Sequence, residues 1–164
     1  MSVSEPTPSH RFRARLVTGL VGLGFAAAPA AAIAGLPNAV IGTGKMAAYN
    51  LTALVNARGR TVYISMADRN GQSSCYGDCL ISWTPVLTGS KVFARKGSGV
   101  NQKLLGTTRR KNGKLQVTYN HHPLYTSTSD TGPGDTSGQG CTDSWWIINS
   151  RGNAVNTFVN CQAY

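Results

Sequence analysis

The chain has 164 residues, with 16 basic and 6 acidic side chains and a formal net charge of +10 at pH 7. Once a targeting segment is set aside, about 130 residues remain, enough for one modest core and too few to call for a second domain. A charge balance of this kind favours anionic partners such as cell-wall polymers, phospholipid headgroups or nucleic acid, and charge alone does not choose among them.

Residues 1–34 carry the pattern of a secretory signal peptide. Three arginines within residues 11–15 precede an uncharged run, 16–34, that is rich in Leu, Val, Gly and Ala. A basic region, an apolar region and small residues at a cleavage site define such a signal. Cleavage fits the A-x-A rule after Ala30 or Ala34, and we favour Ala34. A membrane anchor is the alternative, which the Ala-rich second half of the run disfavours.

Downstream of this segment, the sequence predicts short strands and turns. Thr, Ser, Asn and Gly are abundant, and no stretch of 11 residues keeps an apolar face at a helical period. Residues 51–56 and 60–66 read as a hairpin around the turn 57–59. Alternation along the second of these strands places Tyr63 on the face opposite Val62.

A second hairpin is the strongest local prediction. Residues 104–110 and 114–120 flank Lys111-Asn112-Gly113, and Asn-Gly tolerates the positive φ angles of a type I′ turn. Further strands are expected at 123–127, 145–149 and 154–161. The fold class that follows is all-β, a small antiparallel sheet or sandwich of about seven strands.

Two segments of the chain repeat the same spacing of Tyr, Asp and Trp. In each copy the Asp lies 5 positions after the Tyr and the Trp lies 15 positions after the Asp. The members are Tyr63, Asp68 and Trp83 in the first copy, and Tyr125, Asp130 and Trp145 in the second. Matching offsets of this kind indicate a duplicated unit. Trp83, Trp145 and Trp146 are expected to be core and edge anchors in preference to carbohydrate platforms.

Longer motifs surround both copies. They are Gly59-Arg60-Thr61-Val62-Tyr63, Cys75-Tyr76-Gly77-Asp78-Cys79, Gln116-Val117-Thr118-Tyr119-Asn120 with Pro123-Leu124-Tyr125, and Pro133-Gly134-Asp135-Thr136-Ser137-Gly138-Gln139-Gly140. Over about 56–153 the chain thereby resembles a family of secreted repeat proteins with a Y-x4-D motif, predicted bacterial lipoproteins and exported proteins of unknown function. The resemblance implies an exported, disulfide-tied repeat domain and no particular reaction. The family usually has an aromatic residue where this chain has Ser65 and Ser127.

The four cysteines predict two disulfides, because an even count in an exported chain is typical of paired cysteines. Three pairings are possible for Cys75, Cys79, Cys141 and Cys161. We favour a tight loop between Cys75 and Cys79, which leaves Cys141 with Cys161. The last two also look like additions of this branch of the family. A thiol redox pair or a metal site is the alternative, and C-x3-C is not a standard spacing for either. No cysteine lies near the cleavage region, so no lipid anchor is expected.

Two roles are open for Tyr63, Asp68, Tyr125 and Asp130. In the structural role, each Asp caps a turn while each Tyr packs its ring and satisfies its hydroxyl nearby. In the binding role, the two Tyr/Asp pairs pack about a pseudo-two-fold axis and line a ligand or cation site. Five residues of extended chain span about 17 Å, so direct contact within one copy requires a bend.

Two other clusters are candidate sites. Arg109, Arg110, Lys111 and Lys114 form a basic patch at the predicted hairpin turn, which is either a solvated tip or a polymer-binding site. His121-His122 is a weak metal candidate, because adjacent strand residues point to opposite faces and share one ion only at a turn.

No catalytic motif stands out. The chain lacks a G-x-S-x-G elbow, a phosphate-binding G-x4-G-K-[ST] loop and paired carboxylates suited to glycoside hydrolysis. We therefore expect a secreted, non-enzymatic binding module without a cofactor. Its expected partner is an anionic cell-envelope polymer or membrane surface, with no specific nucleic acid. The alternative is a redox or metal-handling protein that uses Cys75/Cys79, His121/His122 and the Tyr/Asp sites. The expected division is 1–34 signal, 35–57 lead-in with a first strand, and 58–164 duplicated domain.

Overall fold

Short strands are the main regular secondary structure of the described chain. The computed structural model describes Met1 and residues 35–162, so the predicted signal peptide and both cleavage points lie outside the described residues. The strands are β1 (Ala39–Met46), β2 (Leu51–Val55), β3 (Tyr63–Ser65), β4 (Trp83–Pro85), β5 (Leu87–Thr88), β6 (Val92–Ala94), β7 (Leu105–Arg109), β8 (Leu115–Tyr119), β9 (His122–Pro123), β10 (Tyr125–Ser127), β11 (Gly138–Gln139), β12 (Trp145–Ile148), β13 (Ala154–Val155) and β14 (Asn160–Cys161). One α-helical turn, α1, spans Cys79–Ser82. No helix of the described part is long and apolar enough to cross a membrane.

A five-stranded sheet lies at the centre, in the order β13-β12-β3-β10-β4. The two motif strands, β3 and β10, are neighbours in it and pair antiparallel, with Tyr63 opposite Tyr125. On one side β3 pairs with β12, where Trp145 lies opposite Ser65. On the other side β10 pairs with β4, where Trp83 lies opposite Ser127. Each motif strand therefore pairs with the Trp strand of the other copy, about a pseudo-two-fold axis between Tyr63 and Tyr125.

Both faces of this sheet are covered. One core contains Tyr63, Tyr125, Trp83 and Trp145. The other contains Val62, Ile64 and Leu124 together with apolar residues of β1, β2 and β8. Tyr63 and Val62 thus lie on opposite faces, as alternation predicts, and burial on both faces removes the usual apolar and polar alternation of a half-exposed strand.

Three smaller sheets surround the central one. Their orders are β2-β1-β6, β5-β8-β7 with β9 beside β8, and β11-β14. All pairings are antiparallel except that between β1 and β6. The all-β, disulfide-tied fold class is confirmed. The estimate of seven strands was too low, because many strands span only two or three residues and β1 lies in the segment read as a lead-in.

Three hairpin turns share one geometry that differs from the predicted type I′. At 110–114, the N–H of Gly113 donates to the carbonyl of Arg110, and the N–H of Arg110 donates to the carbonyl of Lys114. Gly113 alone has positive φ there, which defines a type I turn followed by a left-handed glycine. Equivalent bonds close the turns 56–60 and 149–153. Two adjacent positive φ angles occur instead at Asn120-His121, between β8 and β9.

Candidate functional site

The Tyr and Asp residues of the two motifs contact each other across the copies. The hydroxyl of Tyr63 donates to Oδ2 of Asp130 at 3.0 Å, and the hydroxyl of Tyr125 donates to Oδ2 of Asp68 at 2.9 Å. The antiparallel pairing of β3 with β10 places the two phenols side by side and sends each toward the loop of the other copy. Each tyrosine therefore binds the aspartate of the other copy, and no bend that joins Tyr to Asp within one copy is needed.

Each aspartate also closes its own loop. Oδ1 of Asp68 accepts bonds from the N–H and the hydroxyl of Ser74, at 2.7 and 2.8 Å. Oδ1 of Asp130 accepts a bond from the N–H of Ser137 at 2.9 Å. The motif aspartates therefore fix their loops with one oxygen and bind the partner tyrosine with the other, as expected for residues that cap turns.

Ser65 and Ser127, the positions where the resemblance implies an aromatic residue, both cap turns. The hydroxyl oxygen of Ser65 accepts a bond from the N–H of Ala67, and that of Ser127 from the N–H of Ser129, both at 3.2 Å. Both serines are almost fully buried. Both serines therefore stabilise the turn that follows their strand.

Four aromatic rings form a continuous chain beneath the motif strands. The indoles of Trp83 and Trp145 stack with centroids 3.8 Å apart and planes 9° apart. Tyr63 meets Trp83 edge-on at 5.3 Å, and Tyr125 meets Trp145 edge-on at 5.0 Å. Stacked and edge-on pairs at these separations are favourable beyond the area that they bury. The tryptophans are core anchors, as expected, and they also join the two phenols.

Burial dominates the electrostatics of this cluster. It raises the pKa of the Asp130 carboxyl, while the bond from Tyr63 opposes the rise. Burial also raises the pKa of Tyr63, and the neighbouring Asp130 carboxylate raises it further. The pKa of Tyr125 is raised by burial, with Asp68 as a further cause. By contrast, hydrogen-bond donors of Gly132 and Thr131 lower the pKa of the Asp135 carboxyl. Both motif phenols therefore stay protonated at neutral pH.

The two Tyr/Asp pairs differ in their access to solvent. Asp130 is 1% exposed, under the loop 131–140. Asp68 precedes the shorter loop of the first copy and is half-buried. It lines an open depression of about 420 Å³. The other lining residues are Asn70, Gly71, Asn120, His121, His122 and Pro123. None of them comes from the Asp130 loop, so the two pairs do not share this opening.

Both histidines lie beside that opening. His121 occupies the left-handed turn position with φ 67°, and His122 begins β9. In the described part of the chain, no group of three or more His, Cys, Asp or Glu is placed to hold a metal ion.

The predicted basic patch divides into a buried and an exposed part. Arg110 is only 4% exposed. Its guanidinium donates to Gln116 Oε1 at 2.5 Å, to Ser73 Oγ at 2.8 Å and to the carbonyl of Cys75 at 2.7 Å. It also lies 4.4 Å from the ring centroid of Tyr76. Arg110 is therefore an internal anchor and not a solvated tip residue, and no sequence signal separates it from its neighbour Arg109.

A hydrogen-bonded path links this buried cation to Asp68. The Tyr125 hydroxyl lies 2.7 Å from Ser73 Oγ. Because the phenol has one proton and gives it to Asp68, the Ser73 hydroxyl donates to Tyr125 and accepts from Arg110. Along the path Arg110–Ser73–Tyr125–Asp68, each donor thus has an acceptor. Ser73 and Gln116 are the site residues that sequence reasoning missed, and Arg110 was expected in the basic patch and not in this path.

The cysteines pair as favoured from the sequence, Cys75 with Cys79 and Cys141 with Cys161. Their Cα atoms lie 5.3 and 4.8 Å apart, within the usual range for a disulfide. Cys75 and Cys141 pack in the core that contains the four aromatic rings. Each disulfide therefore ties a motif loop to that core.

Fold and site together define a small disulfide-tied β-repeat domain whose two copies exchange their Tyr/Asp contacts. Residues 106–149 match a family model described as a secreted repeat of unknown function. This confirms the resemblance and supports an extracellular location. No curated protein and no solved structure shows significant similarity to the chain.

Proposed function

We propose that this domain is a non-enzymatic extracellular binding module that holds an anionic cell-envelope polymer on the tip of the β7–β8 hairpin. The contact residues are Arg109, Lys111 and Lys114, which form the basic tip. All three are exposed, and they lie around a turn of five residues. Clustered cations attract a polyanion by a long-range force that salt weakens.

The exposed charge of the described residues is strongly one-sided. Eleven basic side chains are exposed: Lys45, Arg58, Arg69, Lys91, Arg95, Lys96, Lys103, Arg109, Lys111, Lys114 and Arg151. Only Asp78 and Asp143 are exposed acids. The remaining three aspartates are half-buried or buried, so the surface potential follows the basic residues.

Anchoring of the basic tip is the observation that carries the proposal. Arg110 fastens the hairpin to the loop that contains Ser73 and Cys75. The N–H of Lys111 donates to the Tyr76 hydroxyl at 3.2 Å, and its ammonium lies 4.8 Å from the centroid of the same ring. A tip held in this way loses little conformational entropy on binding, so its cations are preorganised for a ligand.

Binding to immobilised poly(glycerol phosphate) at low and high salt tests the proposal. The tip variant replaces Arg109, Lys111 and Lys114 with Gln. Each exposed charge contact contributes about 0.2–1 kcal/mol, so losing three lowers affinity by about tenfold at low salt. The difference should shrink at high salt, because screening weakens the contacts that are lost.

A matched control replaces Lys45, Lys91 and Lys96, three exposed lysines outside the tip, with Gln. It removes the same charge, so it should weaken binding much less than the tip variant. Equal losses of affinity in the two variants would mean that binding depends on overall charge, and would refute a binding site at the basic tip. Binding to anionic vesicles but not to the polymer would assign the basic tip to a membrane surface instead.

The redox and metal alternative gains no support from the cysteines as they stand. All four are in disulfides, so a dithiol reaction would first require reduction of Cys75–Cys79.

A further inference from the structure

The four-ring chain has a feature that packing alone does not require: each end carries a phenol hydrogen-bonded to a carboxylate. We propose that Tyr63, Trp83, Trp145 and Tyr125 form a one-electron relay, in which the stacked indoles receive an oxidising equivalent and pass it to a tyrosine. The phenol proton moves to the bonded aspartate in the same step. This activity is independent of the basic tip.

Ring contact provides the path for the electron. The indoles stack at 3.8 Å, and each phenol meets its indole at 5.0 or 5.3 Å between centroids. Indole and phenol are among the side chains most readily oxidised by one electron, and electronic coupling falls steeply with distance. Rings in direct contact therefore exchange an electron faster than rings separated by aliphatic side chains.

The aspartates provide the path for the proton. A phenol that loses an electron becomes a strong acid, so its oxidation is easier where a base already accepts its hydrogen bond. Asp130 and Asp68 hold those positions at 3.0 and 2.9 Å. Tyr119 shows the contrast: it is equally buried, but its hydroxyl donates to the carbonyl of Ser150 at 2.7 Å. A peptide carbonyl is far too weak a base to take the proton.

The cost of the arrangement also indicates a role beyond packing. Asp130 is 1% exposed, and burying a carboxylate is unfavourable unless hydrogen bonds offset the lost hydration. A phenylalanine opposite an apolar side chain would fill the same space without that penalty. A phenol and carboxylate pair nevertheless stands at each end of the stack.

Each step balances when the one-electron oxidant is a small, diffusible neutral radical. The oxidant takes one electron from Trp145 and becomes its reduced anion, leaving an indole radical cation. Tyr125 then gives one electron to Trp145 and its hydroxyl proton to Oδ2 of Asp68. The products are neutral Trp145, a neutral phenoxyl radical on Tyr125 and a protonated Asp68. The symmetric step uses Trp83, Tyr63 and Asp130.

Solvent access makes the two ends unequal. Asp68 borders the open depression with His121 and His122, so a proton received there can leave to water. Asp130 is sealed, so a proton received there stays and returns. The long-lived radical is therefore expected on Tyr125.

Pulse radiolysis of the purified protein with azidyl radicals, which oxidise indole, tests the relay. The indolyl absorption should decay as the phenoxyl absorption grows. In the Tyr63→Phe/Tyr125→Phe variant, the indolyl radical should live about tenfold longer or more, which corresponds to a barrier higher by about 1.4 kcal/mol. Tyr125→Phe alone should remove most of the long-lived phenoxyl signal, and Tyr63→Phe alone should remove little.

Tyr119→Phe is the matched control, since it removes a buried phenol from the other core. It should leave the transfer unchanged. Equal slowing in this control, or an undiminished phenoxyl yield in the double variant, would overturn the relay.

A second variant keeps the test decisive even if the double variant fails to fold. Asp68→Asn keeps the Tyr125 ring but replaces the proton acceptor with a neutral amide, so the transfer to Tyr125 should slow severalfold. Asp78→Asn changes an exposed aspartate that caps nothing with its side chain, and should have no effect. Unchanged transfer in Asp68→Asn would refute coupled proton movement.

Discussion

At the scale of single residues, the same motif gives two aspartates with different surroundings. Asp130 is sealed beneath its loop, whereas Asp68 reaches an open depression. The distances to their tyrosines differ by only 0.1 Å, 3.0 against 2.9 Å. Equal bonds in unequal environments should therefore have unequal energies, because the penalty for an unpaired carboxylate grows with burial.

Replacing the tyrosines one at a time measures this difference. Tyr63→Phe leaves the buried Asp130 carboxylate without its phenol donor and should lower the free energy of unfolding by about 1–3 kcal/mol. Tyr125→Phe should cost less, because water reaches Asp68. Urea unfolding followed by tryptophan fluorescence compares the two variants. A larger loss in Tyr125→Phe would contradict the assigned environments.

Alkaline pH should destabilise the protein through the same two phenols. Burial raises the pKa of Tyr63 and Tyr125 above the ordinary value of 10.0. The unfolded chain then releases these protons near pH 10 while the folded chain keeps them. Stability is therefore full below pH 10 and falls above it, by up to about 1.4 kcal/mol per pH unit for each tyrosine.

Urea unfolding between pH 8 and 11 tests whether the free energy of unfolding falls above pH 10. The slope above pH 10 should be shallower in the Tyr63→Phe/Tyr125→Phe variant, since that variant lacks both groups. An identical slope in the two proteins would show that other groups control alkaline unfolding.

At the scale of elements, the short strand β11 comes very close to the tryptophan stack. A Cβ atom added at Gly138 would lie 2.6 Å from the ring of Trp83 and 3.1 Å from Cβ of Ser127. The indole is already stacked on Trp145, so it has little room to move away. Glycine at 138 is therefore required by close packing and not by a special backbone angle.

Gly138→Ala should lower the free energy of unfolding by about 1–3 kcal/mol, because overpacking forces neighbouring rings to shift. Gly132→Ala is the matched control in the preceding loop, where an added Cβ meets nothing closer than 3.8 Å. It should be neutral or stabilise slightly, since it restricts the unfolded chain. Thermal unfolding with near-ultraviolet circular dichroism measures both. Equal stability of the two variants would contradict the tight contact at Trp83.

At the scale of the whole molecule, neither copy completes its own sheet. The first copy supplies β3 and β4, but β3 pairs with β12 and β4 pairs with β10 of the second copy. The tryptophan stack likewise takes one ring from each copy. Exchange of this kind makes folding of the two copies cooperative.

Expressed separately, residues 35–100 and 101–162 should therefore lack a cooperative unfolding transition, although each retains its own disulfide. Mixing the two fragments should restore near-ultraviolet circular dichroism from the packed tryptophans. Chemical denaturation of each fragment and of the mixture makes the comparison. A cooperative transition in 35–100 alone would show that the exchange is dispensable.

Local sequence signals predicted much of the architecture. Equal Asp-to-Trp spacing indicated two copies, and alternation placed Tyr63 opposite Val62. The Gly-containing turn at 111–113 located the β7–β8 hairpin, although Asn112-Gly113 suggested the wrong turn type. The turn at 57–59 was also located, but the predicted hairpin around it is reduced to one bridge between Val55 and Thr61, because β2 pairs with β1 and β3 pairs with β10 and β12. Turn type depends on how many residues the flanking strands leave unpaired, and the dipeptide Asn112-Gly113 does not specify that number by itself.

Residue types and spacing alone therefore determined an exported, all-β, duplicated domain with two disulfides. Tertiary structure alone decided that each motif tyrosine binds the aspartate of the other copy. The reason is that β3 of the first copy pairs with β10 of the second. Tertiary structure likewise decided that Arg110 is buried while Arg109 is exposed. Spacing along a chain constrains local geometry, whereas contacts between strands far apart in sequence depend on register, which no single segment encodes.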